Sequence, residues 1–307
     1  MRNYVIEGGR PLWGTVPVSG AKNAALPMLF GALACGSPCE LVRVPRIGDV
    51  RGACEIIREA GAQVAWETDE TGGCEHRVHI RAPRAIKPQI EGGAARMMRA
   101  SYYLLGAALA RGERVRLPLP GGCALGERPI DLHLAVFSAL GARVRVGDGY
   151  VEADGSRGLR GADFSFGTTS VGATVNGALA ALGAEGTTVL RGASTEPHVC
   201  DFLRFLAACG ASVDGIGTTE VRVTGGRTLH GRRYRIGGDM AEAGTYLIAG
   251  VLTGGSVTAR GIDPAAMAPL TRTLRRIGAS VTEEENEVTA TDTGVRRGVL
   301  VETGPFP

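Results

Sequence analysis

The chain has 307 residues, a formal net charge of +3, 44% hydrophobic residues and only 5% aromatic ones. That length accommodates two domains with cores of their own, and the composition is that of an α/β protein rich in Ala, Val and Leu. A charge so small, carried by scattered basic residues, argues against nucleic acid as the main partner. The start, Met1-Arg-Asn-Tyr-Val-Ile-Glu7, lacks the apolar core of a signal peptide, and the longest uncharged apolar run, 24–35, contains Pro27 and is too short to span a bilayer. A cytoplasmic protein with no membrane partner is expected.

Along the chain one phrase returns at intervals of roughly 70 to 80 residues, a period that marks a repeated structural unit. Gly61-Ala-Gln-Val64, Gly141-Ala-Arg-Val144, Gly210-Ala-Ser-Val213 and Gly278-Ala-Ser-Val281 each close a helical pattern and open a strand. The glycine is the expected residue just past a helix, since it alone takes the left-handed conformation without penalty. Before each phrase lie an apolar helix, a Gly turn and a short strand. The first copy reads 24–33 with 39–42, and the second 98–110 with 115–117. The third reads 173–182 with 188–191, and the fourth 243–252 with 257–260. The repeated unit is therefore βαβαββ-like.

The seven cysteines, Cys35, Cys39, Cys54, Cys74, Cys123, Cys200 and Cys209, are odd in number and mostly lie inside apolar runs. They read as reduced thiols, and Cys35-x3-Cys39 lacks the second pair or the histidines of a zinc site, so no metal is expected. Among 34 basic residues only Lys22 and Lys87 are lysines. Lys22 and Asn23 open a helix after Gly20, where a cation opposes the macrodipole unless an anion is shared between them. The pattern calls for a phosphate or carboxylate ligand there, a solvated surface lysine being the alternative.

A second stretch, Pro120-Gly-Gly-Cys-Ala-Leu-Gly-Glu-Arg-Pro-Ile-Asp-Leu-His133, places a single thiol among three glycines, then an arginine just before a helix start. Read locally, this is either a glycine-rich turn with a spare cysteine or a thiol beside an anion site.

Taken with Ser19-Gly-Ala-Lys-Asn-Ala-Ala-Leu-Pro27, Met98-Arg-Ala-Ser101, Ser170-Val-Gly-Ala-Thr174 and Glu242-Ala-Gly-Thr245, this stretch resembles the UDP-N-acetylglucosamine 1-carboxyvinyltransferase family of enolpyruvyl transferases. The resemblance runs in order over essentially the whole chain. It implies an inside-out α/β barrel built from βαβαββ units. Residues 22–237 would form a complete three-repeat domain, and 1–21 with 238–307 part of a second. It also implies transfer of the enolpyruvyl group of phosphoenolpyruvate to the 3-hydroxyl of UDP-N-acetylglucosamine, in peptidoglycan synthesis, with no cofactor and no obligate protein partner.

By the same resemblance Cys123 is the general acid and the thiol alkylated by fosfomycin, with Lys22 and Arg128 holding phosphoenolpyruvate. Arg99 contacts the nucleotide sugar. Arg128, Pro129, Ile130, Asp131, Leu132 and His133 cradle uridine and diphosphate, Ser170, Val171 and Gly172 form a second diphosphate loop, and Asn23 and Asp49 line the phosphate end. From the residues alone, Asp49 or Asp131 could equally cap a helix, and His133 could be a packed helix residue.

The sequence departs from the family at Met240, where an arginine is usual, and at His198 in Thr195-Glu-Pro-His198, where a glutamate is usual. In the family Thr303-Gly-Pro-Phe-Pro307 continues to an aspartate that accepts the substrate hydroxyl proton, then to two further repeats. The chain is thus expected to be a fragment with an incomplete second domain and little turnover alone. Two other readings stay open: a non-catalytic UDP-sugar-binding paralogue, and an enolpyruvyl transferase for another nucleotide.

Overall fold

A computed structural model describes all residues except 1–4, 6, 71–72, 120–128, 305 and 307. The chain divides into a larger unit, Ala21–Ile236 with Pro305–Pro307, and a smaller one, Met1–Gly20 with Gly237–Gly304.

The larger unit contains α1 (Lys22–Gly31), α2 (Gly48–Glu59), α3 (Gly93–Met97), α4 (Tyr103–Ala110), α5 (Asp131–Ala139), α6 (Val171–Ala181) and α7 (Pro197–Ala208). In α1, α4 and α6 small and apolar residues cover every face, the composition of an enclosed helix. Residues 24–31, 104–109 and 173–181 are accordingly buried without interruption. The amphipathic α2 and α7 bury one stripe each, through Val50, Ala53, Ile56 and Ile57 and through Val199, Phe202, Leu203 and Leu206.

Outside the helices the strands repeat one pattern. Cys39–Val42 pairs antiparallel with Arg77–Arg81, which pairs antiparallel with Gln63–Glu67. Arg114–Pro118, Tyr150–Asp154 and Arg143–Gly147 follow the same order, as do Thr187–Arg191, Glu220–Thr224 and Ser212–Asp214. The chain leaving each repeat then pairs in parallel with the next. Gln89 bridges Arg116, Asp163–Ser165 joins Thr187–Arg191, and Arg233–Arg235 returns to Cys39–Val42. Repeat one leads to two, two to three, and three back to one. The result is the inside-out α/β arrangement, helices within and sheets without, although the sheets stay separate and no continuous barrel closes among the described residues.

The smaller unit holds α8 (Met240–Leu252) and α9 (Pro264–Ile277) against Ser256–Arg260, Glu287–Thr291 and Ser280–Glu284. Its parallel edge is Trp13–Pro17, paired with Ser256–Arg260. Asp239 caps α8, its Oδ1 accepting from the N–H groups of Ala241 (2.9 Å) and Glu242 (3.2 Å). The Glu242 carboxylate accepts the Ser19 N–H at 2.9 Å. The Glu-Ala-Gly motif therefore ties the N-terminal segment to α8. A separate core of Val18, Ala243, Leu247, Ala259, Ile262, Met267, Val288 and Ala290 fills this unit.

The glycines of the recurring phrase all take positive φ: 104° at Gly61, 90° at Gly141, 104° at Gly210 and 115° at Gly278. The expected helix 98–110 is broken. Met98 is extended (φ −132°, ψ 131°), and a 3-10 turn, Arg99–Tyr102, precedes α4. No helix of the described residues is long and apolar enough to cross a membrane.

Helices α4 and α6 meet where Gly106 faces Asn176. A Cβ on Gly106 would lie 2.4 Å from Asn176 Oδ1 and 2.9 Å from Leu179 Cβ, whereas Gly93 has open space around it. Gly106→Ala is expected to cost about 1–3 kcal/mol through overpacking, and Gly93→Ala less than about 0.5 kcal/mol. Urea denaturation followed by circular dichroism compares the two, and equal midpoints would contradict the packing described.

Candidate active site

The site begins at helix starts. Lys22 and Asn23 form the first turn of α1, whose N-cap residue, Ala21, offers no side-chain acceptor. The anion that this turn calls for is found within the protein, since Lys22 Nζ lies 3.0 Å from Asp49 Oδ2. Asp49 is in the first turn of α2 without serving as its cap. With side chains 40% and 53% exposed, the pair contributes at most about 1 kcal/mol. It is easily exchanged for another partner.

Arg99 stands on the 3-10 turn before α4, its Nη2 donating to the Pro129 carbonyl at 2.9 Å. That bond ties the second buried helix to the segment entering α5. Ile130 is the N-cap position of α5, Asp131 its first residue, and neither caps it through a side chain. Ser170 does cap α6, its Oγ accepting from Ala173 N at 3.3 Å, and Thr174 Oγ1 donates back to the Ser170 carbonyl at 2.8 Å.

These segments surround one cavity of about 590 Å³. Of the residues expected at the site, Lys22, Asn23, Asp49, Arg99, His133, Ser170, Val171 and Gly172 line it. Pro129 is reached through Arg99, while Ile130, Asp131 and Leu132 follow it in sequence without lining the cavity. Cys123 and Arg128 lie outside the described residues. Sequence reading did not assign Tyr102, Tyr103 or Met98, which also line the cavity, and His198, noted only as a departure, lies on its wall. Repeat symmetry could have found the tyrosines. Lys22–Asn23, Tyr102–Tyr103 and Val171–Gly172 occupy equivalent places, at the starts of the buried helices of repeats one, two and three.

His133 is 4% exposed. Burial first, and then the nearby Arg99 charge, push its imidazole down to about 4, against a smaller upward pull from Asp131. The ring is neutral at physiological pH. Its Nδ1 lies 2.8 Å from Nδ2 of Asn176, a residue the sequence did not single out. Burial pushes the Tyr103 hydroxyl up to about 12, so it too is uncharged.

One cluster was beyond sequence reading. Cys209 joins Cys35 and Cys39, their sulfurs within 4.8 Å of one another. Each is at most 2% exposed, and hydrogen bonds with Cys209 and Cys39, followed by burial, push the Cys35 thiol up. Three thiols fall one short of a tetrahedral zinc set, and here they pack as small apolar side chains.

The family described as EPSP synthase (3-phosphoshikimate 1-carboxyvinyltransferase) matches residues 6–305. The UDP-N-acetylglucosamine 1-carboxyvinyltransferase of Anaeromyxobacter sp. (strain K) is 44% identical over 308 residues, covering 100% of this chain and 72% of the relative. The UDP-N-acetylglucosamine 1-carboxyvinyltransferase 3 of Caldanaerobacter subterraneus subsp. tengcongensis is 40% identical with the same coverage. Among solved structures, the enolpyruvyl transferase NikO from Streptomyces tendae has a TM-score of 0.77 at 25% identity, covering 94% of this chain and 67% of its own. The EPSP synthase of Acinetobacter baumannii shares the fold, with a TM-score of 0.69 at 20% identity over 95% of this chain and 67% of its own.

The buried imidazole has a consequence for stability. Between pH 6.5 and about 4 the unfolded chain binds a proton at His133 that the folded chain refuses. Its contribution is therefore fully present above pH 6.5 and lost as pH falls through that window, by about 3 kcal/mol in total. Comparing wild type with His133→Gln in urea at pH 7 and pH 4.5 should show the wild type losing more stability on acidification. Equal losses would place the ring in water.

Proposed function

Because the chain belongs to the EPSP synthase family of enolpyruvyl transferases, we propose that it serves transfer of the enolpyruvyl group of phosphoenolpyruvate to the 3-hydroxyl of UDP-N-acetylglucosamine, for peptidoglycan synthesis in the cytoplasm. One observation supports this most. Lys22, Arg99, His133 and the start of α6, carried by four separate motifs, meet on one cavity large enough for a nucleotide sugar.

In this reading Arg99, His133 and Ser170–Gly172 hold the diphosphate, the last through helix N–H groups and the macrodipole. Lys22 exchanges Asp49 for the phosphate of phosphoenolpyruvate, with Asn23 and Arg128 beside it. Cys123 donates a proton to C3 of phosphoenolpyruvate as the sugar oxygen bonds to C2, the hydroxyl's own proton passing to the aspartate that accepts it in the family. The adduct then returns a C3 proton to the Cys123 thiolate as the C2–phosphate oxygen bond breaks and phosphate leaves, restoring the enol double bond. Cations around the phosphate favour its departure and lower the thiol pKa. His198 on the cavity wall favours one second reading, an enolpyruvyl transferase for another nucleotide, which competition between nucleotide sugars would reveal.

Isothermal titration with UDP-N-acetylglucosamine should show binding that Arg99→Ala weakens at least tenfold, equivalent to about 1.4 kcal/mol. Absence of binding to the wild type would overturn the reading. Fosfomycin should alkylate Cys123, as read by peptide mass mapping, because Cys35, Cys39, Cys54, Cys200 and Cys209 are buried and the half-buried Cys74 is not among the residues that line the cavity. Labelling chiefly at Cys200 or Cys209 would remove Cys123 from the proposed role.

A further inference from the structure

The amide of Asn176 is wholly buried on α6 and is held at both ends. One end faces the backbone N–H of Gly106 at 3.2 Å. A backbone N–H can only donate, so this end is the amide oxygen. The other end is therefore the NH2 group, which faces His133 Nδ1 at 2.8 Å. An NH2 group likewise only donates, so Nδ1 accepts and carries no proton. In a neutral ring the proton then sits on Nε2.

Nε2 is directed at the first turn of α6. A Cβ added to Gly172 would meet it at 3.0 Å, and its neighbour Cε1 at 2.8 Å. Among the described residues no acceptor lies within hydrogen-bonding distance of Nε2, although the side chain is 4% exposed and lines the cavity. Val171 and Gly172 line the same space, and as the first residues of α6 their N–H groups have no partner within the helix. A donor that opens onto the cavity beside a helix N-terminus, on an otherwise buried ring, suits an anionic oxygen.

We infer that Asn176 is a positioning residue, which holds His133 as the Nε2–H tautomer so that the ring donates, beside the start of α6, to a phosphate oxygen of the bound ligand. Only the identity of that ligand, a nucleoside diphosphate sugar, rests on the function proposed above. The arrangement supplies a directed donor without placing another charge next to Arg99. The groups around the ring are Arg99 and Tyr102 from the second repeat, Asp131 from α5 itself, and uncharged Asn176 and Gly172 from α6. Lys22, Asp49 and His198 line the same cavity. With the ring neutral, its donor persists across neutral pH.

Long-range 1H–15N correlation of the ligand-free wild type at pH 7 reads the tautomer directly. The expected result is protonated Nε2 and bare Nδ1 at His133; a proton on Nδ1 would overturn the inference. Asn176→Asp supplies an acceptor in place of the donor. It should bring the ring a titration that the wild type lacks between pH 5 and 8. Above that titration the proton should sit on Nδ1, and the Kd for UDP-N-acetylglucosamine should rise at least tenfold. A folded Asn176→Asp protein with unchanged ring signals would also overturn it, and if that variant does not fold, the wild-type spectrum decides alone. A wild type showing the Nε2–H tautomer but no affinity for UDP-N-acetylglucosamine would sink the proposed function and leave the positioning role of Asn176 standing.

Discussion

Each sheet in the larger unit is completed by chain that belongs to another repeat, and the rest of the molecule depends on this exchange. A strand left at an edge presents unpaired N–H and C=O groups to any passing strand. Here Gln89, Asp163–Ser165 and Arg233–Arg235 cover those edges in turn, and the last returns to Cys39–Val42. The cycle fixes the three repeats in equivalent orientations. Their buried helices α1, α4 and α6 consequently start at the same end of the unit, and one cavity collects the first turns of all three. The site follows from the cyclic topology, because three helix N-termini gathered in one place provide orphan donors and positive dipole ends together.

That convergence has a packing cost, met by glycine. Gly106 lets α4 approach α6 closely enough for its N–H to reach Asn176, and Gly172 leaves room for the His133 ring. Both are positions where any side chain would displace a polar group of the Asn176–His133 pair. Burying an amide and an imidazole together is tolerable because each finds a partner; either one alone would bear a desolvation penalty. The chain therefore spends its small residues where polar groups must be held, and uses Ala and Leu elsewhere along the same helices.

The repeat was legible because its signals are local. Gly61, Gly141, Gly210 and Gly278 occupy positive φ that an L side chain rarely adopts, so each marks a helix end in the sequence itself. Lys22, Asn23, Arg99, Ser170 and Gly172 were legible as parts of motifs. What escaped was set by contacts between distant segments. Asn176 reads as an ordinary polar residue within an apolar helix, and its role appears only when α4 and α5 are packed against it. The meeting of Cys209 with Cys35 and Cys39 depends on α7 lying against α1. The extended Met98 was hidden because 97–110 is rich in good helix formers, and tertiary placement of Arg99 and Tyr102 overrides that propensity.

The parallel pairing of Trp13–Pro17 with Ser256–Arg260 imposes an order in time. On a ribosome, the N-terminal strand emerges first, yet its partner strand emerges only after the whole larger unit has been made. At typical elongation rates of about 5–20 residues per second, that delay is on the order of ten to fifty seconds. The larger unit, closed by the return of Arg233–Arg235 to Cys39–Val42, is synthesised in full within that interval. It behaves as an inserted domain that matures while Trp13 and its neighbours wait unpaired, an interval in which chaperones and proteases have their first access to the nascent chain.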